Sequence, residues 1–188
     1  PHVQKGIIRD CIAGGLPVIT AGQMLDSMVS APSPTRAEAT DVAKAAFDGT
    51  SAVMLSAETA IGSQPALSVA MSAQIAETAD ERFDHPGWAE QVAALRMAGR
   101  TDSDTVTITA AITLAAARAA DSADVAAILC VSESGFTVRS MARFRPRATI
   151  LGFSPNPRTV RQLASSWGVV PILLETDTPD YVERVRQA

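Results

Sequence analysis

Three short stretches of this 188-residue chain carry side chains able to handle a charged small molecule. Thr20-Ala21-Gly22-Gln23 and Ser56-Ala57-Glu58-Thr59 each follow an apolar run directly. A hydroxyl can orient an anionic substrate, a carboxylate can hold a loop or a proton, and a glycine leaves its backbone amide open to approach. For Ser56 and Glu58 the other reading is a hydrogen bond that fixes a loop. The third stretch is Ser132-Glu133-Ser134-Gly135-Phe136-Thr137, an apolar run passing through glycine into a helical pattern. Amides and hydroxyls then converge on one point, which suits a phosphate group, and the helix dipole adds to the attraction. An ordinary strand-to-helix turn has the same spelling.

The elements that must position these groups alternate in type. Val3, Ile7, Ile8, Cys11 and Ile12 have the spacing of an inner helix face over residues 3–13, stopped at Gly14-Gly15. A short apolar strand is expected over 17–21, then a turn of helix over 23–29, broken by Ala31-Pro32-Ser33-Pro34. Thr35 and Glu38 spell a capping box for a helix whose inner face is Val42, Ala43, Ala46 and Phe47 and which ends at Gly49. A strand follows over 52–55. Ser63 is the expected cap of the next helix, with Pro65 in its first turn and Leu67, Val69, Met71 and Ile75 on its periodic positions. His85-Pro86-Gly87 marks a break, and residues 99–104 form a polar seam. Beyond it come an alanine-rich helix over 105–120 capped by Ser103 or Asp104, strands over 125–131, 149–153 and 169–174, and helices after Gly135, Asn156 and Pro179. Such alternation implies parallel sheets covered by helices.

Composition narrows the class. With 47% hydrophobic residues the chain can bury a core, and no apolar run nears the roughly 20 residues of a membrane span. No signal peptide is spelled, and the cytoplasm is the expected compartment. A formal charge of −4 argues against a nucleic-acid surface, although Arg139, Arg143, Arg145, Arg147, Arg158 and Arg161 make a local basic cluster that could serve phosphate or pair with carboxylates. Cys11 and Cys130 are read as buried free thiols, and His2 and His85 as solvent-facing, since neither pair has metal-ligand spacing. Trp88 and Trp167 are read as packing residues. Neither a P-loop nor a dinucleotide-binding glycine fingerprint is present.

Four words in register carry a resemblance: residues 19–28, 34–38 and 54–60, and Ala142-Arg143-Phe144-Arg145-Pro146-Arg147. Together the chain resembles the carboxyl-side portion of pyruvate kinase. The resemblance implies an α/β fold: strands seven and eight of a TIM (β/α)8 barrel over residues 1–83, a connecting segment over 84–104, and an incomplete three-layer α/β/α regulatory domain over 105–188. It implies phosphoryl transfer from phosphoenolpyruvate to ADP in the whole enzyme, with Mg2+ and K+ held by groups outside this chain, so that the isolated piece is expected to be inactive. No metal ligand and no complete catalytic set is assigned to these residues.

On the same ground Thr20, Gly22, Ser56 and Glu58 fall on the substrate side, Ser132, Ser134, Gly135 and Thr137 on an effector-phosphate loop, and Arg36 at a subunit contact. Two departures stand out. Gly22 occupies the place of a family threonine and lacks its hydroxyl, so either Thr20 or a water replaces it or the enzyme of origin is slower or altered in activity. Glu133 stands where sugar-bisphosphate-regulated members often have lysine or a neutral residue, and a carboxylate about 4–6 Å from a phosphate opposes it. The resemblance further implies a homo-oligomer with a sugar phosphate or nucleotide effector. The alternative from another class is a non-catalytic module that binds a phosphorylated metabolite and mediates subunit assembly.

Overall fold

In the computed structural model the described residues are 2–98 and 104–175, with Asp180, Glu183 and Arg186. The chain divides into two units, residues 1–12 with 16–83, and residues 13–15 with 84–188.

Unit 1 opens with α1 (His2–Gly14), which ends before Gly15 at a φ of 77°. β1 (Ile19–Ala21) leads through a 3-10 turn (Asp26–Val29) to α2 (Arg36–Phe47) and β2 (Ala52–Met54). The strands pair in parallel, Ile19 opposite Ala52 and Ala21 opposite Met54, as a βαβ unit requires. A one-turn helix, α3 (Ala57–Ala60), and the long α4 (Pro65–Asp80) complete the unit. Its core is Met24, Leu25, Met28 and Val42, with Val53, Leu55, Met71 and Ile75 packed around them.

α2 begins as its sequence spells. The Thr35 hydroxyl accepts from the Glu38 amide, and the Glu38 carboxylate accepts from the Thr35 amide at 2.8 Å. The inner faces of α2 and α4 match the expected ones in part, with Val42 and Ala46 buried and Met71 and Ile75 packed on the core. Ala45 is fully buried on α2 while Phe47 is 45% exposed. On α4 the buried positions are Ser68, Ser72 and Ala79, whereas Leu67 and Val69 are 37% and 53% exposed. Met71 and Ile75 nevertheless pack against the core beside Val42, so the buried serines share the inner side of α4 with large apolar residues. Ser63 is not the cap either: Gln64 precedes Pro65 without a side-chain hydrogen bond, and the Ser63 amide donates to the Val29 carbonyl.

Unit 2 begins with α5 (His85–Ala98), a helix where the sequence reads as a break. Pro86 sits in the first turn, where no amide proton is needed, and the Asp84 carboxylate caps it by accepting from the Gly87 amide at 3.0 Å. α6 (Asp104–Ala123) follows; the expected cap Ser103 lies outside the described residues. The sheet then builds in chain order: β3 (Ala127–Val131), α7 (Phe136–Ala142), β4 (Thr149–Ser154), α8 (Pro157–Leu163) and β5 (Val169–Leu173). All pairings are parallel, with Leu129 opposite Leu151 and Leu151 opposite Val170. α7 packs against the sheet so closely that a β-carbon at Gly152 would stand 2.9 Å from Val138. The helix expected after Pro179 falls largely outside the described residues.

His85 is buried at 8% exposure, against the solvent-facing reading, and it shares a cage with both tryptophans. Its Nδ1 lies 2.8 Å from the Arg145 carbonyl. The Arg145 guanidinium sits 5.5 Å from the Trp88 ring and 4.9 Å from that of Trp167, and Trp88 Nε1 donates to the Arg143 carbonyl. These contacts hold Arg145 at a φ of 48°, which a residue with a side chain adopts only under constraint. Cys11 is half-buried and Cys130 buried, where burial pushes its thiol pKa up; both are free.

Candidate functional site

The carboxyl ends of β1 and β2 lie side by side because the strands are parallel and in register. In α/β barrels this end of the strands carries the chemistry. Gly22 leaves β1 at a φ of 148°, and a β-carbon there would meet nothing within 4 Å. Backbone shape therefore selects glycine at this turn, not lack of room. Thr20 stands behind it, buried, its hydroxyl donating to Thr50 Oγ1 at 2.8 Å. Thr50 Oγ1 in turn lies 3.1 Å from the Val18 carbonyl and 2.9 Å from that of Ala52, which braces the strand pair from within.

Ser56 follows β2 and precedes α3, and its residue is exposed. Glu58 is the opposite case, 1% exposed. Its Oε1 accepts from the Leu25 amide at 3.1 Å and its Oε2 from the Ser56 amide at 2.8 Å. The two strand-end loops are thus joined through one carboxylate. Sequence spacing could not announce this, since Leu25 and Glu58 are 33 positions apart.

Behind the same loops, Glu38 accepts from Ser27 as well as from Thr35, at 2.7 Å from the Ser27 amide and 2.5 Å from its hydroxyl. Partial burial raises its pKa, but the hydrogen bonds from Ser27 and Thr35 outweigh that and bring it down to about 2. Arg36 lies exposed at the first position of α2. Among the described residues no group of three or more His, Cys, Asp or Glu could hold a metal ion. Nor is any described helix long and apolar enough to cross a membrane.

The second set lies in unit 2. Ser132 follows β3 directly and is buried, its amide donating to the Phe153 carbonyl at 2.9 Å. Gly135 takes a φ of 76° and opens α7, and a β-carbon there would press on Arg139, Leu163 and Thr159. The Ser134 hydroxyl accepts from the Phe136 amide at 3.4 Å, and Arg139 reaches back to donate to the Ser134 carbonyl at 3.1 Å. Ser154 and Thr159 donate their hydroxyls to the Glu133 carbonyl at 3.2 and 2.9 Å, so the second strand-to-helix crossing supports the first. Ser154 and Thr159 were missed in the sequence. Their hydroxyls at the end of β4 and the start of α8 are the only local hint, and nothing in the spelling couples them to residue 133.

Comparison with known proteins places both regions. The pyruvate kinase barrel domain matches residues 1–69, and the pyruvate kinase alpha/beta domain matches residues 110–188. A pyruvate kinase of Clostridium acetobutylicum is 41% identical over 173 residues, covering 92% of this chain and 35% of its own length. Pyruvate kinase 2 of Synechocystis sp. is 45% identical over 174 residues, with 93% and 27% covered. The pyruvate kinase of Geobacillus stearothermophilus is 46% identical over 169 residues, with 90% and 27% covered. A crystal structure of a pyruvate kinase from Cryptosporidium parvum superposes with a TM-score of 0.87 at 33% identity, over 95% of this chain and 35% of that one. The chain spans between 27% and 35% of the length of these relatives. Partial-barrel and alpha/beta signatures succeed one another in order along an α/β fold of parallel sheets, and the chain belongs to the pyruvate kinase family.

Proposed function

We propose that this chain is the carboxyl-side portion of an enzyme that transfers the phosphoryl group of phosphoenolpyruvate to ADP, yielding pyruvate and ATP. The observation that carries this reading is the pair of strand ends joined through Glu58, which sets the Gly22 turn beside Ser56 where a barrel receives its substrate. Thr20, Gly22, Ser56 and Glu58 form the substrate-side wall. The open Gly22 turn offers backbone to the substrate carboxylate, Ser56 offers a hydroxyl, and Thr20 and Glu58 stand behind them.

Phosphoryl transfer also needs cationic charge to neutralise the phosphate and align it. When bound, Mg2+ and K+ supply that charge, and in this reading residues outside the 188 hold them. On their own, therefore, residues 1–188 do not complete the reaction. The domain division proposed is 1–83 for the barrel portion, 84–104 for the connection and 105–188 for the regulatory domain. Ser132, Ser134, Gly135 and Thr137 form the seat of an effector phosphate, which the Glu133 carboxylate weakens. Arg36 belongs to a subunit contact of a homo-oligomer working in the cytoplasm.

A coupled assay with phosphoenolpyruvate, ADP, magnesium and potassium tests the reading. The full-length enzyme that carries this chain forms pyruvate, and purified residues 1–188 form none. Measurable turnover by the 188 residues would show that the missing groups have been wrongly assigned.

A further inference from the structure

Glu58 has more to do than close a loop. It is a fully buried acidic side chain, and each carboxylate oxygen takes one backbone N–H, from Leu25 on one side and Ser56 on the other. The two donors belong to the two halves of the proposed wall. Leu25 lies three residues past Gly22, with its side chain wholly buried beside Met28 and Val42. Ala21, just before Gly22, is paired with Met54 in the sheet. The exposed Gly22-Gln23 turn is therefore pinned on both sides, by the strand pairing and by Glu58. Ser56 is held from the other oxygen of the same carboxylate.

We infer that Glu58 is a positioning residue, which sets the spacing between the Gly22 turn and Ser56 and so the fit of the phosphoenolpyruvate carboxylate, without touching the substrate. The inference rests on the phosphoryl-transfer reading above. A carboxylate has two acceptor oxygens and a carboxamide has one. In Glu58→Gln, whichever way the amide is turned, its NH2 group faces one of the two backbone N–H groups. One loop then loses its tether while the side-chain volume is kept. A displacement of about 1 Å at substrate-positioning groups costs on the order of 100-fold in rate.

The test is steady-state kinetics of the full-length enzyme with Glu58→Gln, alongside a thermal melt. KM for phosphoenolpyruvate is expected to rise about tenfold or more while KM for ADP stays within about twofold of the unsubstituted enzyme. A purely structural role would lower the amount of active enzyme and leave both KM values alone, and that result overturns the inference, as does a parallel rise of both. Should Glu58→Gln fail to fold, Glu58→Asp gives the same reading: it keeps the charge on a stem one carbon shorter that cannot reach both amides, and its phosphoenolpyruvate KM is expected to rise about threefold or more over that of the unsubstituted enzyme. An unchanged KM in Glu58→Asp likewise overturns the inference. If the unsubstituted enzyme forms no pyruvate, the phosphoryl-transfer reading falls and takes this inference with it; turnover with an unchanged phosphoenolpyruvate KM in a folded variant removes the inference alone.

Discussion

At Glu38 four hydrogen bonds, two each from Ser27 and Thr35, converge on one carboxylate and bring its pKa from 4.5 down to about 2. The unfolded chain releases that proton near the ordinary value, so the stabilising contribution is complete above about pH 4.5 and fades as the pH falls towards 2. Glu38→Gln is therefore expected to flatten the acid limb of the stability curve, and to lower stability at neutral pH by about 1 kcal/mol as hydrogen bonds to a charged acceptor become neutral ones. Urea unfolding of both forms from pH 2 to 7 measures it; parallel curves would contradict the assignment. The capping box within this feature was legible in the sequence, since Thr35 and Glu38 stand three apart at a helix start. Its extension to Ser27, 11 residues away in the chain, was not, because tertiary hydrogen bonds leave no local spacing.

Among the elements, what could be read was whatever depends on near neighbours. Gly14 and Gly15 announced the end of α1, and the alternation of apolar runs with helical patterns announced the two parallel sheets. The start of α5 was hidden, because Pro86 and Gly87 suggest a break while the cap that rescues the helix comes from Asp84 just before them. The inner face of α4 was legible only in part: Met71 and Ile75 pack on the core as their spacing suggests, while the burial of Ser68 and Ser72 has no hydropathy signal. Close approach also governs α7 on β4. A side chain at Gly152 has no room against Val138 and Val169, so Gly152→Val is expected to destabilise unit 2 by about 1–3 kcal/mol, read from the midpoint of urea unfolding. A midpoint unchanged in that variant would mean α7 lies farther from the sheet.

Taken whole, the molecule distributes its order unevenly. Among the described residues unit 1 has a sheet of two three-residue strands and unit 2 one of three strands of five or six residues, while both leave large apolar side chains exposed, Val3 and Ile61 in the first and Ile108 and Ile112 in the second. Two short strands are marginal as a sheet, and exposed apolar patches promote association. In the isolated chain, amides of residues 1–80 are expected to exchange faster than those of 105–175, as followed by hydrogen exchange with mass detection; uniform strong protection throughout would refute this. The cage around Arg145 supplies an independent probe. Trp88 and Trp167 are the chain's two tryptophans, and both rings lie against that one guanidinium in unit 2. Indole emission from this polypeptide is thus a built-in lamp placed in one half, and it will report melting of the carboxyl-side unit without any label.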